Sequence, residues 1–394
     1  MTRFETPTID PADELVCLGH GEDLPAQGGS VMPPIVQTSL FTKQTLDELI
    51  DGLGAEHRNH LYSRGQNPTV EAVEKKLATL ERGEACKCTA SGMAAVSATL
   101  MGLLEAGDHV LFVNNVYGPT LKLAQRLTRF GVAHDVVLNV DAAAVEAAVT
   151  PATRMIWVES PGTMLFRVMD LRAVADLARS RGITTVIDNS WSTPLFQKPL
   201  ALGIDVAIHS ATKYIGGHSD VVAGAVVTDA ERLERVFYDG YQLLGGALGP
   251  FDAWLLNRGL RTLPVRMRQH HLDGLAVARY LAGHPRVRQV FHPGLDEGTR
   301  PLVEAQLTGF SGLFSVELDT DRYEDVRTFV DGLDRFRIGV SWGGVESLVV
   351  TPNRRTNAAE LAAQGIPPGT VRFSVGLEGA AVLQRDLEQG LAAL

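Results

Sequence analysis

The chain has 394 residues, 45% of them apolar, with 39 glycines and 19 prolines, a composition that suits a globular protein of two or three domains. Its formal charge of −10 argues against nucleic acid or an anionic membrane as the main partner. Three cysteines (Cys17, Cys86 and Cys88) make no disulfide framework, and no apolar run reaches the ~20 residues of a membrane span.

The N-terminal stretch Met1–Pro7 has no apolar segment of the kind that secretion signals carry, so a cytoplasmic protein is expected. Residues 1–60 show little periodicity. Pro33 and Pro34 bias their predecessors toward extended backbone, and Thr45–Leu53 suits a short helix. This part is expected to be an arm that packs on another body, such as a partner subunit. Next comes the loop Leu61–Thr69, which carries Tyr62 and Arg64; on its own it reads as a surface loop with a stray charge. Thr69 is expected to cap a helix from Val70 to about Leu80, with Glu71 suiting the positive end of its dipole.

A short strand from Ala85 leads into Ser91-Gly92-Met93, followed by a helix to about Leu104. The first N–H groups of such a helix form an anion site, although a plain serine cap explains the residues equally well. Cys86 and Cys88 lack a second ligand pair, so no metal site is expected there.

From His109 the pattern becomes rhythmic. Strands are expected at 109–113, 134–138, 155–158, 184–187 and 204–208, separated by helical stretches at 121–130, 142–149 and 171–180. Such alternation implies a parallel sheet with helices on both faces, and ligands bind beyond the strand ends of such sheets. Chemistry-bearing residues follow successive strands: Tyr117, Glu159-Ser160, Asp188, and Ser210-Ala211-Thr212-Lys213. A lysine flanked by hydroxyls at a strand end suits a Schiff base with an aldehyde whose phosphate the hydroxyls hold, while a solvated loop lysine is the plainer explanation. Asp188 could pair with a protonated pyridine nitrogen, or cap a turn.

A further strand is expected at 221–227, a helix at 230–238, and a long helical region from Pro250. His270 and His271 are adjacent, so they point to different faces of a helix and read as structural. A boundary near residue 255 divides the chain into an arm (1–60), a cofactor-binding domain (61–255) and a smaller α+β domain (256–394). In the last part a helix is expected at 272–282, strands at 287–291, 309–317, 336–340 and 371–375, and helices at 323–332 and 380–393. Arg372 lies inside an apolar strand. It needs a carboxylate, either a ligand's or that of Glu346 or Glu378.

These residues together resemble the Cys/Met-metabolism (trans-sulfuration) family of pyridoxal-phosphate enzymes. The motifs occur in order from Tyr62-Ser63-Arg64 through Ser91-Gly92-Met93-Ala94, Tyr117-Gly118, Glu159-Ser160-Pro161 and Asp188-Asn189 to His209–Asp220 and Arg372. The resemblance implies fold-type I: an α/β protein with a mostly parallel central sheet and a smaller C-terminal domain. It implies pyridoxal 5′-phosphate on Lys213, which also acts as the base at the substrate Cα, with Asp188 at the ring nitrogen and Tyr117 stacked on the ring and assisting proton transfer. Ser210, Thr212 and the N–H groups of Gly92 and Met93 are expected at the phosphate. Tyr62 and Arg64 are expected to reach the phosphate of a neighbouring subunit, so the partner is a second copy of the chain, within a tetramer built as a dimer of dimers. Arg372, with Ser341, is expected to bind the substrate carboxylate.

Within the family, Tyr117-Gly118-Pro119-Thr120 and Ser341-Trp342-Gly343-Gly344 are most similar to bacterial cystathionine β-lyases, whereas Tyr62–Thr69 and Ser91–Met93 are more similar to the γ-enzymes. The expected activity is β-elimination on cystathionine or a related cysteine thioether, giving thiol, pyruvate and ammonia. The alternatives are a γ-lyase or γ-synthase, or a non-catalytic protein on the same fold.

Overall fold

The computed structural model describes residues 5–22 and 25–394. Seven strands form the larger sheet: β1 (Ala85–Thr89), β2 (His109–Val113), β3 (Ala133–Val137), β4 (Thr153–Glu159), β5 (Thr184–Asp188), β6 (Val206–His209) and β7 (Gly224–Thr228), in the spatial order β1-β7-β6-β5-β4-β2-β3. The five strands β2 to β6 run parallel to one another, while β7 pairs antiparallel with both β1 and β6. The expected mostly parallel α/β sheet is therefore present.

Side chains of these strands alternate between two cores. Val110, Phe112, Trp157, Val186 and Ile208 face one layer of helices, whereas Leu111, Val113, Ile156, Val158 and Ile187 face the other. Burial on both faces explains why the strands read as nearly unbroken apolar runs. At the edge, β3 has no fully buried residue within it.

A second, five-stranded sheet contains β8 (Val287–Phe291), β9 (Leu313–Leu318), β10 (Arg337–Ile338), β11 (Leu348–Val350) and β12 (Thr370–Ser374), in the order β10-β11-β12-β9-β8. Only the β10–β11 pair is parallel. Phe314, Phe329, Phe336 and Phe373 pack its core against the C-terminal helix Ala380–Leu391.

Several local expectations are corrected. The helix over Pro68–Glu81 is capped by Asn67, whose side chain accepts from the Thr69 N–H, with Pro68 in its first turn. Proline is well placed there because its missing N–H has no intrahelical partner to lose. Thr69 instead accepts from Val36 N–H and donates to the Pro34 carbonyl, tying down the extended arm. The helical stretches from Pro250 and over 272–282 form one 33-residue helix, Pro250–Ala282, which continues through Pro264.

An unforeseen helix, Pro11–Leu18, docks on the chain's own core through Cys17. Its buried Asp13 binds both Arg82 (2.7 Å) and Lys198 (2.6 Å). A second helix, Leu46–Leu53, leaves Leu46, Ile50 and Leu53 exposed.

Candidate active site

Parallel strands deliver residues far apart in sequence to one rim. Glu159 ends β4, Asp188 ends β5 and His209 ends β6, and Glu159 and Asp188 stand in register as direct strand neighbours. The turn after His209 carries Ser210, Thr212 and Lys213. Lys213 Nζ donates to Ser341 Oγ at 2.6 Å and lies 5.4 Å from the centre of the Trp342 ring. Burial pushes the Lys213 amine down from 10.5 to about 8; Arg372 adds to the fall and Asp188 opposes it.

Ser341 and Trp342 belong to the loop between β10 and β11, so the smaller sheet supplies one wall of the site. Ser341 adopts φ 79° and Gly343 φ 84°. A Cβ on Gly343 would stand 2.8 Å from Tyr214 N and 3.0 Å from Lys213 C, so this loop presses directly on the lysine turn. Trp342 packs on Tyr214 at 5.5 Å between ring centres. The Tyr214 hydroxyl accepts from Gly312 N–H at 3.0 Å, locking the wall to the second sheet. Tyr214 carried no role in the sequence reading; an aromatic directly after the lysine was the available signal.

Arg372 reaches the same space from β12, and its Nη2 donates to the Ser341 carbonyl at 3.3 Å. The internal salt bridge considered from sequence does not form. Glu346 accepts from Ser219 Oγ, and Glu378 accepts from Ser347 N–H and Oγ. Among the described residues no carboxylate lies within 4.0 Å of Arg372. Burial draws its guanidinium down to about 10, with Tyr117 and Tyr214 opposing. A partly buried cation without an anion is suited to a ligand carboxylate.

On the other side, the helix Gly92–Leu103 starts beside Ser210. Ser91 caps it by accepting from Ala94 N–H at 3.0 Å, which leaves the Gly92 and Met93 N–H groups at the helix start. A Cβ on Gly92 would stand 2.7 Å from Ser210 Oγ, so the helix start and the lysine turn meet at a glycine. Thr212 Oγ1 is held by Ala223, donating to its carbonyl (3.1 Å) and accepting from its N–H (2.9 Å).

Asp188 accepts from Ser190 N–H at 3.0 Å and has no cation within 4.0 Å among the described residues. Burial pushes its carboxyl up, while the Ser190 bonds and the charges of His209 and Lys213 pull it down. Glu159 is held well above the carboxylate range by burial and by Asp188; it accepts from Tyr117 N–H at 2.7 Å. That bond orients the start of the helix Gly118–Leu127, which the half-exposed Tyr117 immediately precedes.

Tyr62 and Arg64 are exposed and stack on each other at 5.4 Å. Among the described residues no hydrogen bond, ion pair or ring contact joins them to the Lys213 group. His270 and His271 lie on the long helix behind the lysine turn: the His270 ring packs edge-on against Tyr214 at 4.9 Å and its Nδ1 bonds the Val375 carbonyl, while His271 Nδ1 accepts from Phe310 N–H, both bonds at 2.9 Å.

A ring aldehyde carrying a phosphate fits this arrangement. The lysine amine is partly neutral near pH 7, a carboxylate with no cation beside it among the described residues lies on the same rim, and a helix start meets the Ser210 hydroxyl closely enough to exclude a side chain at Gly92.

Comparison with known proteins agrees. Residues 15–392 match the family described as Cys/Met metabolism PLP-dependent enzyme. A cystathionine γ-synthase of Mycobacterium bovis is 41% identical, over 97% of this chain and 96% of its own length. An L-methionine γ-lyase of Pseudomonas putida is 40% identical, over 95% and 96%. A cystathionine β-lyase of Coxiella burnetii is 38% identical, over 92% and 93%. Similarity thus runs to β- and γ-enzymes alike, and the chain belongs to the pyridoxal-phosphate-dependent enzymes of Cys/Met metabolism.

Proposed function

We propose that this enzyme is a carbon–sulfur lyase performing β-elimination on cystathionine or a related cysteine thioether. When bound, pyridoxal phosphate supplies an electron sink for the negative charge developed at the substrate Cα. Lys213 Nζ is the base that takes the Cα proton and returns it to the departing thiolate sulfur. Its low pKa keeps a useful fraction neutral, and its bond to Ser341 aims it. Arg372 holds the substrate carboxylate, assisted by the backbone around Ser341.

Asp188 holds a proton on the ring nitrogen. Ser210, Thr212 and the N–H groups of Gly92 and Met93 hold the phosphate, and Tyr117 lies against the ring. Tyr62 and Arg64, which reach none of these groups within their own chain, serve the phosphate of a neighbouring copy. The dimer is then the smallest catalytic unit, within a dimer of dimers. The chain divides by task into an arm (1–60), a cofactor-binding part (61–255) and a C-terminal part (256–394); the helix Pro250–Ala282 crosses the second boundary and ties the last two together.

The observation that carries the β reading is Trp342 beside Lys213. A γ-reaction requires a second proton to be removed, from Cβ, so its base must travel further along the substrate. An indole ring 5.4 Å from Nζ, itself fixed against Tyr214, restricts that travel. Product analysis after incubation with cystathionine tests this directly. Pyruvate with homocysteine is expected, and 2-oxobutyrate with cysteine overturns the assignment. The γ-lyase and γ-synthase names among the relatives favour the second reading, in which Trp342→Leu leaves the product ratio unchanged.

A further inference from the structure

Beneath the rim lies a buried polar cluster that the proposed chemistry does not use. Glu81, near the end of the helix Pro68–Glu81, is fully buried. One of its oxygens, Oε1, accepts from Asn189 Nδ2 at 2.7 Å and from His209 Nε2 at 2.5 Å. Asn189 directly follows Asp188, and His209 directly precedes Ser210. Both are also buried. A single carboxylate oxygen therefore joins the ends of β5 and β6 at the residues adjoining the proposed ring-nitrogen partner and the proposed phosphate ligand.

A second tie runs above it. Ser210 N–H donates to Ser190 Oγ at 2.6 Å, and Ser190 N–H donates to Asp188 at 3.0 Å. Apart from Glu81, the two strand ends are joined by the β5–β6 ladder, which pairs Asp188 with Ile208, by the backbone bond from Asn189 N–H to the Ile208 carbonyl (2.8 Å) and by the upper tie, so Glu81 adds the side-chain link on the face of the sheet. Glu81 comes from a helix on the sheet's face, so it also sets the depth at which both strand ends sit.

The geometry points to Glu81 and His209 as positioning residues that fix the separation between the Asp188 carboxylate and the Ser210 hydroxyl, and hence how well the cofactor is gripped at both ends. A ring and its phosphate have a fixed span, so ligands placed at the two ends must be spaced correctly at the same time. Charge acts in the same direction. The charge interaction of His209 with Asp188 lowers that carboxyl, opposing the upward push of burial.

This inference rests on the cofactor reading above, and the test separates the two. Apo-protein is titrated with pyridoxal phosphate and binding is followed by absorbance. Failure of the unaltered protein to bind overturns the cofactor reading itself. If it binds, Glu81→Ala and His209→Ala are expected to raise Kd by about tenfold or more. Glu81→Gln, which keeps an acceptor oxygen, and His209→Gln, which keeps an N–H at the Nε2 position, should stay within about threefold. That rescue is what a general loss of packing would not produce. Should Glu81→Ala fail to fold, Glu81→Asp decides, since it draws the carboxylate back by one methylene and is also expected to weaken binding by about tenfold. Folded Ala or Asp variants that bind within about twofold of the unaltered protein overturn the inference, as do Gln variants as weak as the Ala ones.

Discussion

In the apo-protein, Lys213 should titrate near pH 8. At pH 7 an amine with that pKa is neutral in about one molecule in ten, whereas an ordinary lysine at 10.5 is neutral in about three in ten thousand, a difference of roughly 300-fold. Competitive acylation of the apo-protein between pH 6 and 11, with the Lys213 peptide followed by mass spectrometry, reads this as the midpoint of labelling. Burial is the main cause, Arg372 the second, and Asp188 opposes both. Arg372→Gln should therefore raise the midpoint, and Asp188→Asn should lower it.

The same shift has a definite sign for stability. Below pH 8 Lys213 is charged in both folded and unfolded apo-protein, and the folded state bears the full cost of about 3 kcal/mol. As pH rises from 8 to 10.5 the unfolded chain holds more protons, so this contribution turns toward stability and the cost disappears. A wild-type midpoint at or above 10, or one indifferent to Arg372, would refute the account of a desolvated base aimed at Cα.

Two further outcomes follow from the geometry. Gly92→Ala brings a methyl to 2.7 Å from Ser210 Oγ and 3.1 Å from Ser210 Cα. Overpacking of this kind costs about 1–3 kcal/mol, so cofactor affinity should fall by about one to two orders of magnitude in a fluorescence titration; an unchanged Kd would show that the helix start does not face the phosphate. Mixed refolding of Lys213→Ala with Arg64→Ala should restore about a quarter of wild-type activity, because half the dimers are mixed and each mixed dimer has one intact site. Activity no higher than the sum of the separate variants would place Arg64 outside a shared site.

Much of the large sheet was legible because its central strands are short, apolar and each followed by a polar turn. Asp188 and Lys213 could be recognised for the same reason: strand ends are local features, and their chemistry sits on contiguous residues. The cap at Asn67 was missed because Thr69 offers the same side-chain hydrogen bond, and only the backbone decides which residue stands just outside the helix. The helix Pro250–Ala282 was expected as a helical region from Pro250 and a helix at 272–282, because spacing along the chain does not show that the two are continuous. Packing on the first helix and on the helix Ala380–Leu391 holds it in one piece.

The amino-acid sequence by itself determined the α/β class, the order of the strand-end residues and the lysine turn, since all of these depend on spacing along the chain. Tertiary structure decided who meets whom. It left Arg372 without a carboxylate among the described residues, set Ser341 and Trp342 on Lys213, and put Glu81 beneath two strand ends 108 and 128 residues away. Such contacts carry no local signature, because the cost of burying charge is offset only by partners that folding brings from elsewhere.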